Sequence, residues 1–177
     1  MKKLTIFTPT FNRAYVLGKC YDSLKNQTVK DFVWLIIDDG SSDNTKELVE
    51  SWIKEGLIEI RYKYQKNQGM HGAHNTAYEL IDTELNTCID SDDYMPIDGV
   101  EKILKFWDKY GSEKIAGIAA LDAYESGQVI GDKFPEDLKT SALFDIHYKH
   151  KLKGDKKLIY RSELTKKYPY PIFDDEK

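Results

Sequence analysis

The chain has 177 residues, of which 41% are hydrophobic and 32% are charged, with 26 Lys and Arg against 30 Asp and Glu. This composition excludes an intrinsically disordered chain, and the slight acidic excess argues against a protein that binds nucleic-acid phosphates. No segment approaches the roughly 20 apolar residues of a membrane-spanning helix, so we expect a cytoplasmic domain.

The first third of the chain predicts two strand–helix units. A β-type run at residues 4–8 is closed by Pro9, and a continuous apolar run at 32–37 is typical of a strand buried on both faces of a sheet. Each run is followed by a helical stripe of apolar residues. The stripes are Leu17, Cys20, Tyr21 and Leu24 after the first strand, and Leu48, Val49, Trp52 and Ile53 after the second.

Three further strands and two helices are predicted up to residue 120. Residues 58–62 alternate between apolar and charged side chains, which indicates a half-exposed strand near a sheet edge. A helical pattern at 72–80 precedes a strand at 85–89, and Pro96 suits the first position of the next helix. A fifth strand follows at 115–120. The helix after Pro96 has the clearest apolar stripe, formed by Val100, Ile103, Leu104 and Trp107.

This alternation predicts an α/β fold, with a mostly parallel sheet flanked by helices and right-handed crossovers. The pattern weakens at residues 123–154, where we expect an irregular segment. Residues 157–160 predict a short returning strand, and a short helix is expected near Leu164.

Polar residues follow each of the first four predicted strands, in segments 8–13, 38–41, 66–75 and 90–93. Ligands of open parallel sheets bind beyond the carboxyl ends of the strands. We therefore expect these four segments to converge on one rim.

The sharpest signal is the acidic cluster Asp90, Asp92 and Asp93 at the end of the fourth strand. Carboxylates this close repel one another unless a cation lies between them. Oxygen ligands suit Mg²⁺ or Mn²⁺, and such an ion can neutralise a departing diphosphate. The alternative is an acidic turn that stabilises the N-terminus of the next helix.

Asp38 and Asp39 end the second strand, where an ionised carboxylate can accept a hydrogen bond from a base N–H or a ribose hydroxyl. The alternative is a turn and helix cap, to which Asp43 and Asn44 contribute equally. Gly69 and Gly72 flank the start of the third helix, where bare backbone N–H groups can approach an anion. Lys66 and Arg13 could add positive charge near a bound nucleotide, but we interpret both first as ordinary surface residues.

The histidines and the C-terminal aromatic residues give weaker signals. His71 and His74 are not at the spacing of a helical metal pair, and we assign them no chemistry. A group of aromatic residues either lines an acceptor-sugar cleft or packs the C-terminal segment on the sheet; it comprises Tyr160, Tyr168, Tyr170 and Phe173.

Four segments resemble those of family 2 glycosyltransferases in their order and spacing: 9–13, 37–43, 67–75 and 90–93. The members of this family are inverting enzymes with the GT-A fold. The resemblance covers residues 3 to about 110. It implies a nucleoside-diphosphate sugar as donor, most often a UDP-sugar, and Mn²⁺ or Mg²⁺ as cofactor. The acceptor is expected to be a hydroxyl of a cell-surface glycan or a lipid-linked saccharide.

The resemblance also implies roles for individual residues. Asp39, with Asp38 beside it, would recognise uracil and ribose. The cluster from Asp90 to Asp93 looks like the DxD element of the family, with Asp92 as first choice for the metal, Asp90 facing ribose or the ion, and Asp93 in support. The remaining nucleotide-binding candidates are Pro9, Thr10, Asn12, Asn67 and Gly72.

The general base of the family is a carboxylate in the second half of the domain. Segment 168–173 resembles what precedes that acid, so the candidates are Asp174, Asp175 and Glu176, and the choice among them is open. We expect one GT-A domain over 1–177, with a nucleotide-sugar-binding half at 1–110 and a partial acceptor half at 111–177, truncated at its C-terminus. Peripheral association with the inner face of a membrane, through segments outside this chain, is left open.

Three other functions compete with this interpretation. A sugar-phosphate nucleotidyltransferase shares the sheet and the acidic site, but it usually has a glycine-rich loop after the first strand, and residues 8–13 contain no glycine. A receiver-like domain also places aspartates at strand ends, although the cluster at 90–93 is too acidic for it. The third is a domain that binds a nucleotide-sugar without turnover.

Overall fold

The structure, a computed structural model, describes residues 2–172. It contains six strands and six helices in these residues. In chain order they are β1 (Leu4–Thr10), α1 (Ala14–Lys25), β2 (Phe32–Asp38), α2 (Thr45–Glu55), β3 (Ile60–Tyr64), α3 (Gly69–Leu80), β4 (Leu85–Cys88), α4 (Gly99–Tyr110), β5 (Gly117–Leu121), α5 (Leu143–Tyr148), β6 (Lys156–Arg161) and α6 (Ser162–Lys167).

The six strands form one sheet in the order β3-β2-β1-β4-β6-β5. Strand β1 pairs in parallel with β2 and with β4, and β2 pairs in parallel with β3. Strand β6 runs antiparallel to β4. The predicted α/β fold, with a mostly parallel sheet flanked by helices, is confirmed.

Strands β1 and β2 are buried along their whole length because helices cover both faces of the sheet. On one face, Trp34 stacks on Trp52 of α2 with ring centroids 5.8 Å apart, and on Tyr21 of α1 at 6.1 Å. On the other face, side chains of both strands pack against α3 in a cluster of Phe7, Leu35, Ile37, Ala73, Ala77, Tyr78 and Ile81. This double coverage explains the continuous apolar run of β2.

The half-exposed pattern at residues 58–62 belongs to β3, which forms one edge of the sheet. Its first residues are partly buried, and Lys63 and Tyr64 at its end are exposed. The prediction of an edge strand is confirmed.

The prediction that Pro9 ends the first strand is wrong. Pro9 lies inside β1, which runs to Thr10. Alternate residues of a strand direct their backbone groups to opposite neighbours. The carbonyl of Phe7 accepts from Ile89 on the β4 side, so Pro9 faces that side too. Pairing with β4 stops at Phe7, and the missing N–H of Pro9 therefore breaks no ladder hydrogen bond.

The prediction that Pro96 is the first residue of α4 is wrong, because the helix begins at Gly99. The amide of Gly99 donates to the carbonyl of Pro96 at 2.8 Å, which closes a turn before the helix. The segment that follows α1 contacts this turn: Gln27 Nε2 donates to the Pro96 carbonyl at 2.7 Å, and the amide of Thr28 donates to the Ile97 carbonyl. These contacts hold residues 96–98 outside the helix.

Residues Ala119–Leu158 form a compact unit of their own, and the described residues on either side of it form the larger unit. The smaller unit is mostly irregular, as predicted for 123–154, but it includes the short helix α5. All four rim segments predicted from the sequence belong to the larger unit. Within residues 2–172, no helix combines the length and the apolar character that crossing a membrane requires.

Ile36→Ala is expected to lower the free energy of unfolding by about 2–5 kcal/mol, because Ile36 is fully buried in β2 and its removal leaves a cavity. Denaturant unfolding of the purified protein measures this loss. Ile53→Ala on α2 is the matched control: its side chain is 42% exposed, and we expect a change within about 0.5 kcal/mol. Equal losses in the two variants would contradict the assignment of β2 to the core.

Candidate functional site

The carboxyl ends of β2, β1 and β4 lie side by side at one edge of the sheet, since the three strands are parallel and adjacent in that order. Thr10 at the end of β1 pairs with Asp38 at the end of β2, and its carbonyl accepts from the Asp39 amide at 2.8 Å. Asp90 follows β4 on the other side of β1. The two acidic segments are therefore about two strand spacings, or about 10 Å, apart across the end of β1.

The buried side chain of Asp38 joins the loop after β2 to strand β3. Its Oδ1 accepts from the amide of Ser41 at 2.8 Å, and its Oδ2 accepts from the hydroxyl of Tyr62 on β3 at 2.5 Å. Burial, together with the neighbouring Asp38 carboxylate, raises the pKa of Tyr62, so the phenol stays protonated and remains a donor. Both oxygens of Asp38 are thus used within the protein.

Asp39 is equally buried but is held from one side only. Its Oδ1 accepts from Gln65 Nε2 at 2.7 Å and from the amide of Gln68 at 2.9 Å. Its Oδ2 makes no hydrogen bond to any residue from 2 to 172. The carboxylate is therefore fixed in orientation and retains one oxygen for a ligand.

The hydroxyl of Thr10 is a buried polar atom that has no hydrogen-bond partner in the described part of the chain. A buried hydroxyl without a partner costs about 1–3 kcal/mol. Because Thr10 ends β1 directly beside Asp38, this hydroxyl belongs to the same edge of the sheet. A ligand with polar groups would remove this cost, so the position fits a binding site.

Asn12 fastens the loop after β1 to the loop after β2. Its backbone has a positive φ of 53°, and its Oδ1 accepts from the amide of Ser42 at 2.7 Å and of Asp43 at 3.3 Å. Its own amide donates to Ser41 Oγ at 2.8 Å. Asn12 thus shapes the loops, and its Nδ2 is the group left to face a ligand.

Asp43 completes this contact between the loops. Its Oδ2 accepts from the amide of Ala14, the first residue of α1, at 3.0 Å, and its Oδ1 accepts from the amide and hydroxyl of Thr45. One carboxylate therefore caps the N-termini of both α1 and α2. Burial alone would raise its pKa, but the hydrogen bonds from Thr45 and Ala14 outweigh burial and hold the pKa of Asp43 below its ordinary value of 3.8.

The acidic turn after β4 carries an ion pair with the loop after β1. Arg13 Nη1 lies 3.1 Å from Asp92 Oδ2, with side chains 42% and 53% exposed. The amide of Asp93 donates to the carbonyl of Asp90, which closes the turn. An ion pair this exposed contributes roughly 0–1 kcal/mol, so Arg13 can give way to another cation.

The carboxylates of this turn suit a cation that is shared with a ligand. Within residues 2–172, no three His, Cys, Asp or Glu side chains converge as a set of metal ligands. Mg²⁺ is typically held by one or two carboxylates, with waters and phosphate oxygens completing its shell. The residues present therefore fit an ion bound together with a diphosphate and do not form a protein-only cage.

Two glycines let the third loop approach the site. Gly40 has a φ of +93°, and a Cβ there would lie 3.0 Å from the amide nitrogen of Asn67. In the first turns of α3, a Cβ on Gly72 would lie 2.3 Å from Gln68 Cβ. Side chains are excluded at both positions, so backbone forms this part of the edge. Asn67 is exposed, and its Oδ1 accepts from the Gly69 amide at 3.3 Å.

His74 packs between aromatic rings behind the acidic turn. Its ring lies edge-on to Phe7 at 5.1 Å and to Tyr170 at 5.4 Å. Its Nδ1 is 2.9 Å from the carbonyl oxygen of Met70. Burial lowers the pKa of His74, so its imidazole is neutral at physiological pH and donates from Nδ1. His74 is therefore part of the packing, in agreement with the sequence analysis.

The candidate bases Asp174, Asp175 and Glu176 lie outside the described residues, as does Phe173. Lys66 is exposed. A recess of about 480 Å³ lies at the opposite end of β4, lined in part by Thr83, Glu84, Trp107 and Arg161, and it includes none of the predicted site residues.

Sequence reasoning missed the partners that orient the predicted carboxylates. Tyr62 holds Asp38 and Gln65 holds Asp39, yet neither was among the predicted site residues. The alternation at 58–62 placed Tyr62 with the inward residues of an edge strand, and this was the one available signal. Arg13, read as a surface residue, pairs with Asp92.

Comparison with known proteins adds sequence relatives. The family model described as glycosyl transferase family 2 matches residues 5–167. Glycosyltransferase GlyA of Streptococcus pneumoniae is 32% identical over 115 residues, 65% of this chain and 16% of that protein. The GalNAc(5)-diNAcBac-PP-undecaprenol beta-1,3-glucosyltransferase of Campylobacter jejuni is 38% identical over 95 residues, 52% of this chain and 30% of that protein. The chain thus spans less than a third of either relative.

Solved structures show the same architecture. TarS of S. aureus, in complex with UDP-GlcNAc, superposes with a TM-score of 0.71 at 21% identity, covering 96% of this chain and 48% of that one. The mannosyltransferase PcManGT of Pyrobaculum calidifontis, with GDP-Man and Mn2+, has a TM-score of 0.70 at 17% identity, covering 96% and 48%. At such low identity the likeness shows the fold alone, and the GT-A-like fold is confirmed.

Asp43→Asn is expected to reduce stability at neutral pH, with a deficit that shrinks under acid conditions. The pKa of Asp43 in the folded protein is below its unfolded value near 3.8. Its stabilisation is therefore present above that value and is lost as the pH falls through the folded-state pKa. Denaturant unfolding at pH 5, 4 and 3 should show the two proteins converging. Asp137→Asn, an exposed carboxylate elsewhere, serves as control, and a deficit independent of pH would contradict the capping role.

Proposed function

Since the chain belongs to glycosyl transferase family 2, we propose that it is the donor-binding catalytic domain of an inverting glycosyltransferase. It transfers a sugar from a nucleoside-diphosphate sugar, specifically a UDP-sugar, to an acceptor hydroxyl. The observation that carries this proposal is the position of Asp39, a fixed carboxylate with one open oxygen, across the end of β1 from the acidic turn.

The nucleoside binds at the ends of β1 and β2. Asp39 Oδ2 accepts a hydrogen bond from uracil N3–H or a ribose hydroxyl, and the charge of the carboxylate strengthens this bond. The unpartnered hydroxyl of Thr10 offers a second polar contact beside it. Pro9 and Asn12 flank the base, with Asn12 supplying Nδ2 because its Oδ1 holds the neighbouring loop. Asp38, directly before Asp39 in the chain, helps to hold this loop because its carboxylate accepts from Ser41 and Tyr62.

The diphosphate lies toward the turn after β4, about 10 Å from Asp39, a separation set by two strand spacings. Asp92 and Asp90 hold a Mn²⁺ or Mg²⁺ ion there together with the diphosphate, and Asp93 supports them. A bound ion neutralises charge that develops on the leaving diphosphate. Arg13, which pairs with Asp92 at 3.1 Å, would leave this carboxylate to the ion and would supply positive charge near the phosphates. Asn67 and Gly72 border the same space from the start of α3.

The transfer itself requires a base on the acceptor side. One of Asp174, Asp175 and Glu176 takes the proton of the acceptor hydroxyl as its oxygen forms a bond to the anomeric carbon. The bond from this carbon to the diphosphate oxygen breaks on the opposite face, and the diphosphate leaves with the electron pair. The anomeric configuration is therefore inverted.

The proposed acceptor is a cell-surface glycan or a lipid-linked saccharide, and the proposed location is the cytoplasm or the inner face of the membrane. One relative is named for transfer to an undecaprenol-linked saccharide, and others for teichoic acid and chondroitin synthesis. Together these names support an acceptor in polysaccharide or cell-envelope synthesis.

UDP with Mn²⁺ is expected to raise the melting temperature, and Asp92→Asn should remove the metal-dependent part of this rise. Binding at 100 times Kd stabilises by about 2.7 kcal/mol, which corresponds to about 5–10 °C for a chain of this size. Differential scanning fluorimetry with UDP, with Mn²⁺ and with both measures it. Asp22→Asn is the control, because Asp22 is also an exposed carboxylate in an ion pair. An unchanged response in Asp92→Asn would remove Asp92 from the metal role.

A panel of UDP- and GDP-sugars is expected to show UDP release from one UDP-sugar well above the rate of its spontaneous hydrolysis. Asp39→Asn should weaken UDP binding about tenfold, because the open oxygen loses its charge and a charge-assisted hydrogen bond contributes about 1.5–3 kcal/mol. Coupled detection of released nucleotide and calorimetric titration measure the two effects. Turnover of GDP-sugars alone would contradict the proposed donor.

A further inference from the structure

Residues 147–157 form a dense run of positive charge. Five lysines and two histidines occur in these eleven residues, against a single carboxylate, Asp155. The chain as a whole has a formal net charge of −4, so this segment is opposite in sign to the protein that carries it. The segment belongs to the smaller unit, Ala119–Leu158, and the proposed donor site uses none of its residues.

The lysines that reach solvent follow the end of α5. Three of them are exposed: Lys149, Lys151 and Lys153. The amide of Leu152 donates to the carbonyl of Ile146 at 3.1 Å, and His147 Nδ1 lies 3.2 Å from the carbonyl oxygen of Leu152. These two contacts fold the segment back on the last turn of α5, so the three lysines emerge close to that turn.

The same short helix presents two aromatic rings to solvent. Phe144 and Tyr148 stack with their ring centroids 4.0 Å apart, yet these residues are 66% and 69% exposed. Leu143 beside them is exposed as well, whereas Ile146 is the buried residue of α5. Exposed apolar patches of contiguous side chains mark contact sites for proteins or membranes.

Helix α4 provides a comparison within the same chain, because it has similar side chains in a different electrostatic setting. Phe106 and Tyr110 form an exposed aromatic pair with centroids 4.7 Å apart. Three exposed lysines accompany them: Lys102, Lys105 and Lys109. On α4, however, carboxylates offset this charge, since Asp98 lies 2.8 Å from the first lysine and Glu101 pairs with the second.

The three lysines after α5 are not neutralised in this way. Among residues 2–172, no carboxylate forms an ion pair with any of them. Three acids are near them in the chain or in space: Asp132, Asp145 and Asp155. Asp132 is already engaged, because its carboxylate accepts from the backbone amide of Lys153 at 2.8 Å. The five lysines of 147–157 outnumber these acids, so the surface is positive.

We propose that the surface formed by Phe144, Tyr148, Lys149, Lys151 and Lys153 binds the anionic face of a phospholipid bilayer. Each lysine near an anionic leaflet strengthens binding about fivefold, and aromatic rings favour the boundary between headgroups and acyl chains. A soluble polyanion would use the lysines but leave the rings in water, so a bilayer fits both parts of the surface. This inference goes beyond the proposed function, because it involves neither the donor nor the transfer.

Sedimentation with lipid vesicles measures this binding in the absence of nucleotide and metal. The wild-type protein is expected to bind vesicles that contain phosphatidylglycerol about 100-fold more tightly than vesicles of phosphatidylcholine alone, because neutral headgroups do not attract the lysines. Salt at about 1 M should release the protein, since the Debye length is then about 3 Å. The salt series tests the electrostatic attraction without any substitution.

The triple variant K149Q/K151Q/K153Q is expected to bind the anionic vesicles about 100-fold more weakly than the wild type. The matched control changes the three lysines of α4 to Gln. It alters the net charge of the protein by the same amount, and its binding should stay within about twofold of the wild type. All six side chains are exposed, so the melting temperatures of both variants should remain close to that of the wild type.

The double variant Phe144→Ala/Tyr148→Ala tests the apolar part of the surface, because it keeps every lysine. We expect it to bind the anionic vesicles about tenfold more weakly, since binding to a bilayer interface scales with the apolar area that is buried there. Phe106→Ala/Tyr110→Ala on α4 is the matched control, and its binding should equal that of the wild type.

The proposal is overturned if the wild-type protein does not bind anionic vesicles. An equal loss of binding in the two lysine variants also overturns it, because net charge and not this surface would then be responsible. If Phe144→Ala/Tyr148→Ala binds as tightly as the wild type while the triple variant K149Q/K151Q/K153Q does not bind, the partner is a polyanion and the bilayer is rejected. Binding of UDP by the same preparation tests the proposed function separately, so the two can fail independently.

Discussion

The parallel pairing of β1 with β2 on one side and with β4 on the other decides where the candidate side chains after these three strands lie. Three strands that run in the same direction end at the same edge, so the acidic residues after β2 and β4 share that edge with Thr10. If either strand ran the other way, Asp39 and Asp92 would lie at opposite ends of the sheet.

Adjacent carboxylates in this site have different physical states. Both oxygens of Asp38 accept a hydrogen bond within the protein, from Ser41 and from Tyr62 of β3, so Asp38 ties the loop after β2 to β3. Asp39 is fixed by Gln65 and Gln68 on one oxygen only. Preorganised groups of this kind bind ligands without the loss of side-chain freedom that a mobile carboxylate incurs. Two neighbouring aspartates therefore differ in the hydrogen bonds that hold them.

Helix α3 connects the edge of the sheet beside Asp39 with Tyr170. Its start lies beside Asp39, one face packs on the sheet through Ala73 and Ala77, and the other holds Tyr170 through Asn75. Asp39 and Tyr170 are thus held by the same helix and the residue before it. Ala73, Ala77 and the ring of Tyr78 pack toward the sheet, and Asn75 and His71 meet Tyr170.

The sequence by itself determined the alternation of strands and helices, the parallel sheet, the edge position of β3 and the set of polar strand ends. These features are local, since burial on two faces gives continuous apolar runs and amphipathic helices give a stripe of fixed period. The predictions at Pro9 and Pro96 were wrong because other parts of the chain decide the local structure there. Strand β4 stops before it reaches Pro9, and Gln27, which follows α1, holds the turn at Pro96. Only the tertiary structure decided that both oxygens of Asp38, but only one of Asp39, accept hydrogen bonds within the protein. It also decided that Arg13 forms an ion pair with Asp92 and that Asn75 forms hydrogen bonds with Tyr170. Each of these contacts joins residues from separate elements, and hydrogen bonds across such distances leave no periodic trace in the chain.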